Sequence, residues 1–189
     1  IKVYCLRKKP GVDLAIHYKL YKLLRQIKPT ILHTYNLSTI EYHPVAKLAG
    51  VKGQIHAEHG RDIGDPYGLN KKHNKLRKLM ALFIDRYISV SEDLHHWLAD
   101  TVGIADSKNL LIQNGVNTAQ FNEVKTSHNT LRLTIVSRIS AVKDHQNLLN
   151  AMQILKNELP ADSQPELAIV GEGELRNELE QYCLQNELT

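Results

Sequence analysis

Two cations, Arg138 and Lys143, stand five positions apart in the run LTIVSRISAVKDHQNLL. They follow a short apolar, β-branched stretch, Leu133 to Val136, that has the composition of a buried parallel strand. After them, Gln146 to Leu155 places Leu148, Leu149, Met152 and Leu155 on one helical face. Strand, basic loop and helix in that order put both charges at a strand's carboxyl end, ahead of helix N-terminal amides. Open α/β sheets bind ligands there, and those amides favour an anion. A planar guanidinium fork beside an ammonium point charge suits a diphosphate. The same pair also suits a solvated loop that happens to be basic.

A second cluster, His56, Glu58 and His59 in IHAEHGRD, first suggests a metal. Side chains alternate along a strand, so His56 and Glu58 share one face and His59 points to the other. A zinc-protease site needs two histidines four apart on a helix, with Glu following the first, and this segment has neither. No metal is expected. What remains is a structural histidine at a strand end or one that faces a cleft. Ser91 follows another apolar run, with Glu92 and Asp93 behind it. It fits a helix cap whose turn can bind an anion. Gly171 and Gly173 flank Glu172 in a tight turn after a strand, where backbone can approach a ligand closely.

The elements that must carry these residues alternate. Strands are expected at Ile1–Leu6, Thr30–Thr34, Gly53–Glu58, Arg86–Val90, Lys108–Gln113, Leu133–Val136 and Pro165–Val170. Helices fall between them: from an N-cap at Asp13 to Ile27, Thr39–Leu48, Lys71–Phe83, one after Ser91, one from Gln146, and Glu174–Leu184. That alternation predicts a parallel α/β sheet. Arg61 to Asn70, with Gly64, Pro66 and Gly68, suits a mobile flap or an ordinary exposed connection. Lys71, Lys72, Lys75, Arg77 and Lys78 make the next helix strongly basic, either as a solvated face or as one that lies on anionic lipid. Trp97 and Leu98 read as core.

A chain of 189 residues with 42% hydrophobic and 23% charged content is an ordinary globular protein of one large or two small domains. Its net charge of +4 suits an anionic substrate or membrane surface and is too weak to imply nucleic acid. Cys5 and Cys183 have no metal or redox spacing, which points to a reducing cytosol. No run is long enough to span a bilayer and no signal peptide is visible. The first residue, Ile1, lies inside a strand-like run, so the chain reads as a piece of a longer protein.

The run SRISAVKDHQNLLNA, followed by LAIVGEGELRNEL, resembles the C-terminal domain of glycosyltransferase family 4. Upstream, LHTYNLSTIEYHP, IHAEHGRDIGD, FIDRYISVSEDLHHWL and IQNGVNTAQF are similar to the N-terminal domain of sugar transferases of bacterial exopolysaccharide systems. The resemblance implies a GT-B architecture: two Rossmann-like domains with parallel sheets, both incomplete here, 1–122 and 123–189. It places the crossover at Asn114-Gly115-Val116, with polar 123–129 at the boundary. It implies a retaining hexosyl transfer from a nucleotide-diphosphate sugar to a hydroxyl acceptor, without cofactor or metal. Arg138 and Lys143 would hold the diphosphate and His59 would orient the donor sugar, while Ser91, Gly171 and Gly173 line the substrate. It further implies a cytoplasmic enzyme, peripheral at the inner membrane, with a lipid-linked acceptor; an incomplete sheet with unpaired edges adds a tendency to associate. The family's opening strand, glycine-rich loop and Glu-x7-Glu motif are missing from these residues, so this span is expected to be inactive by itself. Two alternatives stay open, a non-catalytic nucleotide-binding or interaction module of the same fold and a GT-B sugar-nucleotide epimerase.

Overall fold

The computed structural model describes residues 1–11, 13–62, 64–121 and 131–188. The chain forms two compact units, Ile1–Val116 and Asn117–Thr189. The polar stretch expected at the boundary, 123–129, lies outside the described residues.

In the first unit α1 (Ala15–Ile27) leads into β1 (Ile31–Tyr35), a 3-10 turn over Leu37–Tyr42, α2 (His43–Leu48) and β2 (Gly53–Glu58). Then come α3 (Lys71–Met80), β3 (Arg86–Ser89), α4 (Glu92–His96), a π-helical turn over Trp97–Val102 and β4 (Asn109–Leu111). The strands form one sheet in the order β1-β2-β3-β4, every pair parallel. Local chemistry sets the boundaries. Asp13 Oδ1 accepts from the Ala15 N–H at the start of α1, Asn70 Oδ1 accepts from the Lys72 and His73 N–H groups, and Gly103 closes the π-helical turn at φ 79°.

Register decides which side chains share a face. Thr34, His56, Tyr87 and Asn109 line up across the four strands, and all are buried. The apolar core lies on this side: Ile40, Met80, Ile84, Tyr87, Leu94, Trp97, Leu98, Val102 and Ile104 pack together. Leu24 of α1 packs with Ala46, Ala49 and Val51 in a second cluster. The opposite row, Tyr35, Ala57, Ile88 and Leu110, runs along the open face, where Tyr35 and Leu110 are exposed.

In the second unit β5 (Arg132–Val136) pairs in parallel with β6 (Glu166–Val170). α5 (His145–Glu158) and α6 (Arg176–Gln185) pack on one side, through Leu149 and Leu179 with Leu167 and Ile169.

Four expectations need correction. Ile1–Leu6 forms no strand: it makes no ladder and is almost wholly exposed, because a strand needs a partner for its amides. Thr39–Leu48 is not one helix but a 3-10 turn followed by α2, with Pro44 in its first turn. β5 is covered on one face only, Val136 being 75% exposed. Arg77 does not belong to the basic face of α3. It is buried with Asn74 and Met80, while Lys71, Lys72, Lys75 and Lys78 stay exposed.

Candidate active site

His59 is the first residue beyond β2, at the carboxyl end of the sheet, and is exposed. Alternation therefore turns it away from His56 and Glu58, both fully buried. Its N–H donates to Asn36 Oδ1 at 2.8 Å, and its ring lies 5.3 Å from that of Tyr35. Tyr35 and Asn36 sit at the carboxyl end of β1, next to β2 in the sheet.

Beneath His59 lies a polar network that sequence reasoning missed. Thr34 Oγ1 bonds both His43 Nε2 and His56 Nδ1 at 2.7 Å. His43 Nδ1 meets Gln54 Oε1 at 2.8 Å, and His56 Nε2 meets Glu58 Oε1 at 3.3 Å. Arg77 Nε donates to the same Glu58 oxygen at 2.6 Å. Burial alone would raise the Glu58 carboxyl, but the hydrogen bonds from His56 and Arg77 outweigh it and hold the group below its ordinary range. Desolvation pushes His43 down to about 4, so this imidazole is neutral at pH 7.

The network also fixes the loop after His59. Arg77 lies over the Trp97 ring at 4.8 Å, with Arg61 at 5.4 Å. Trp97 Nε1 and Asn74 Nδ2 both donate to the Gly68 carbonyl. A side chain at Gly68 would strike the Trp97 indole, and Asp65 accepts from the Leu69 and Asn70 N–H groups. The later part of the loop expected as a flap or an ordinary exposed connection, Asp65 to Asn70, is therefore held by these contacts. Ser91 Oγ accepts from the Leu94 N–H at 3.3 Å, so its hydroxyl caps α4. Asp93 behind it pairs with Arg61 at 2.8 Å.

In the second unit Arg138 and Lys143 are exposed on the loop between β5 and α5, and neither makes an ion pair among the described residues. Lys143 ends a 3-10 turn, and Asp144 enters the 14-residue α5 at φ 50°. Buried His145 bonds Ser137 at 3.0 Å and so ties the start of α5 to the end of β5. Gly171 and Gly173 adjoin the same loop. Ser137 N–H donates to Val170 O at 3.0 Å and Ile139 N–H to Glu172 O at 2.9 Å. A Cβ at Gly171 would meet the Ser137 carbonyl, and one at Gly173 the Ile139 carbonyl. Both glycines therefore serve the close approach of the two turns. The structure thus brings Arg138, Lys143, Gly171 and Gly173 into one unit and His59 with Ser91 into the other, at the carboxyl ends of neighbouring strands β2 and β3.

The chain is similar to solved glycosyltransferases. Anabaena HepE, in complex with UDP and glucose, shares 16% identity at a TM-score of 0.69, over 95% of this chain and 52% of that one. A glycosyltransferase from Rickettsia africae shares 18% at 0.68, over 100% and 52%. A variant of S. aureus TarM, in complex with fondaparinux, α-GlcNAc-glycerol and UDP, shares 17% at 0.66, over 92% and 35%. The chain spans about half the length of the first two. No curated protein sequence matches. The architecture is thus α/β, of GT-B type. Residues 1–120 match the sequence profile of Glycosyltransferase Family 4, and the chain belongs to that family.

Proposed function

We propose that the whole protein is a retaining hexosyltransferase that moves a sugar from a nucleotide-diphosphate sugar to a hydroxyl acceptor. The observation that carries this reading, beside the family, is Arg138 and Lys143, exposed on the loop that opens α5 and without an ion pair among the described residues. Charges fixed there would neutralise a diphosphate leaving group as its charge develops, which is electrostatic stabilisation by preorganised groups. His59 would orient the donor sugar, and Ser91, Gly171 and Gly173 would complete the donor-binding set. The reading needs no metal, because the two cations take the charge-neutralising role. Among the described residues no helix is long and apolar enough to cross a membrane. The exposed lysines of α3 support peripheral contact with an anionic inner-membrane surface, cytoplasmic and near a lipid-linked acceptor. That setting fits polysaccharide or glycolipid synthesis in a bacterium, with association between copies.

The test is a comparison of UDP with uridine. Arg138→Ala removes a charge-assisted contact of about 1.5–3 kcal/mol, so UDP affinity should fall about 10- to 100-fold while uridine affinity holds. Equal losses for both ligands would overturn the phosphate role.

A further inference from the structure

The corner after β1 is built under strain. Asn36 takes φ 55° and ψ 172°, a positive φ with ψ far outside the left-handed well in which asparagine is tolerated. Lys28 and Asp144 also have positive φ, but with ψ 55° and 44° they sit inside that well. A residue as displaced as Asn36 persists only where its surroundings over-determine it. Here they do. Asn36 N–H donates to the Ala57 carbonyl at 2.9 Å. Its own carbonyl accepts from the Thr39 N–H at 3.3 Å. Thr39 Oγ1 also donates to the Tyr35 carbonyl at 2.6 Å and accepts the Tyr35 N–H at 3.0 Å.

The side chain does not serve the turn that it precedes. Asn36 makes no capping hydrogen bond into Leu37–Tyr42, although asparagine is among the best N-caps. Its Oδ1 accepts instead from the His59 N–H, 23 residues away. With the Tyr35 ring beside the imidazole, the corner grips His59 by main chain and by ring. We propose that Asn36 is a positioning residue for His59: the strained corner exists to hold that histidine at the end of β2. The inference rests on the reading of His59 as the donor-orienting group.

Asn36→Gly in the complete enzyme separates this role from a structural one. Glycine accepts the backbone conformation without strain but removes the Oδ1 acceptor. The melting temperature should hold, while kcat falls about 10- to 100-fold, the scale expected when a reacting geometry is displaced. Asn36→Asp keeps an acceptor oxygen and should recover most of the rate. In a His59→Ala background, Asn36→Gly should add no further loss, since the two residues act as one unit. An unchanged kcat in Asn36→Gly, where His59→Ala lowers it, would overturn the proposal and leave the His59 reading standing. A loss of melting temperature that tracks the loss of rate would overturn it too, as the mark of a structural contact. If His59→Ala itself leaves kcat unchanged, the His59 reading fails and takes the proposal with it.

Discussion

Arg77→Met tests the polar network most directly. Arg77 and Glu58 are 1% and 0% exposed, and Arg77 Nε lies 2.6 Å from Glu58 Oε1. Methionine nearly matches the arginine stem in volume, so the packing cost is small. The electrostatic cost is not. Glu58 would keep one hydrogen bond, from His56 at 3.3 Å to the oxygen that Arg77 had served, while Oε2 is buried without a protein partner among the described residues. Breaking one side of a buried pair costs about 3–5 kcal/mol, and we expect a loss near the lower end at pH 8. The pH dependence supplies a second check. In the native protein the carboxyl is held below its ordinary range. Without Arg77, two of the causes that lower it are gone while burial, the largest cause, still raises it, so the folded-state value rises from its native position. As pH falls, the folded variant then takes up a proton before the folded native protein does, so its deficit relative to the native protein narrows. Urea titrations at pH 8 and pH 5.5, with matched slopes, measure both effects. Pairing Arg77→Met with Glu58→Gln should restore much of the loss, because no buried charge is then left alone. A cost below about 1 kcal/mol at pH 8, or one equal at both pH values, would refute the argument.

Two further outcomes follow from the same structure. His43 is lowered from 6.5 to about 4 by burial, so between those values the folded chain binds fewer protons than the unfolded one. Stability should therefore fall on acidification across that window, by about 3 kcal/mol in all, and level off below it. His43→Gln should remove that step from urea midpoints measured at pH 7 and pH 4.5, and an unchanged step would assign it elsewhere. Gly173→Ala would drive a methyl group into the Ile139 carbonyl, a backbone clash that should cost about 2 kcal/mol. It should also weaken UDP binding, because Ile139 adjoins Arg138; an unchanged melting temperature would mean that the two turns are not in contact.

Element order was legible because β5 and β6 are apolar runs set off from their helices by polar or glycine-containing turns, and because strand-like and helix-like segments alternate along the chain. Asp13 and Ser91 marked helix starts at which the structure keeps their side-chain contacts. Ile1–Leu6 has the same composition and no partner, and composition cannot supply one. The covered face of the sheet was harder to read. Ile31, Ile55, Ile88 and Leu110 all lie on one face, yet the helices cover the other one. That face carries Thr34, Gln54, His56, Glu58, Ser89 and Asn109, all buried. Burying it is affordable only because α2 and α3 bring His43 and Arg77 to it. A single stretch could not show this, since Arg77 and Glu58 are 19 residues apart and each alone reads as a surface charge. The usable signal was the concentration of complementary donors and acceptors on one strand parity.

The candidate site was legible to different depths for the same reason. Arg138 and Lys143 drew attention by charge and by their place between strand and helix, features local in sequence that suit a solvated basic loop equally, so that resemblance had to choose between the two. His59 stood out only through resemblance, because one histidine among ten carries little by itself. What holds it is nonlocal: Asn36 from the neighbouring strand's end, and below it a network joining β1, β2, α2 and α3. A polar network whose groups are matched resists alternative packings more strictly than an apolar core, because any shift strands a buried donor or acceptor at a cost of about 1–3 kcal/mol. Glu58 is a member of that network and the residue before His59. The polar face of β2 is therefore the physical reason that its last turn can present an exposed histidine in one fixed position.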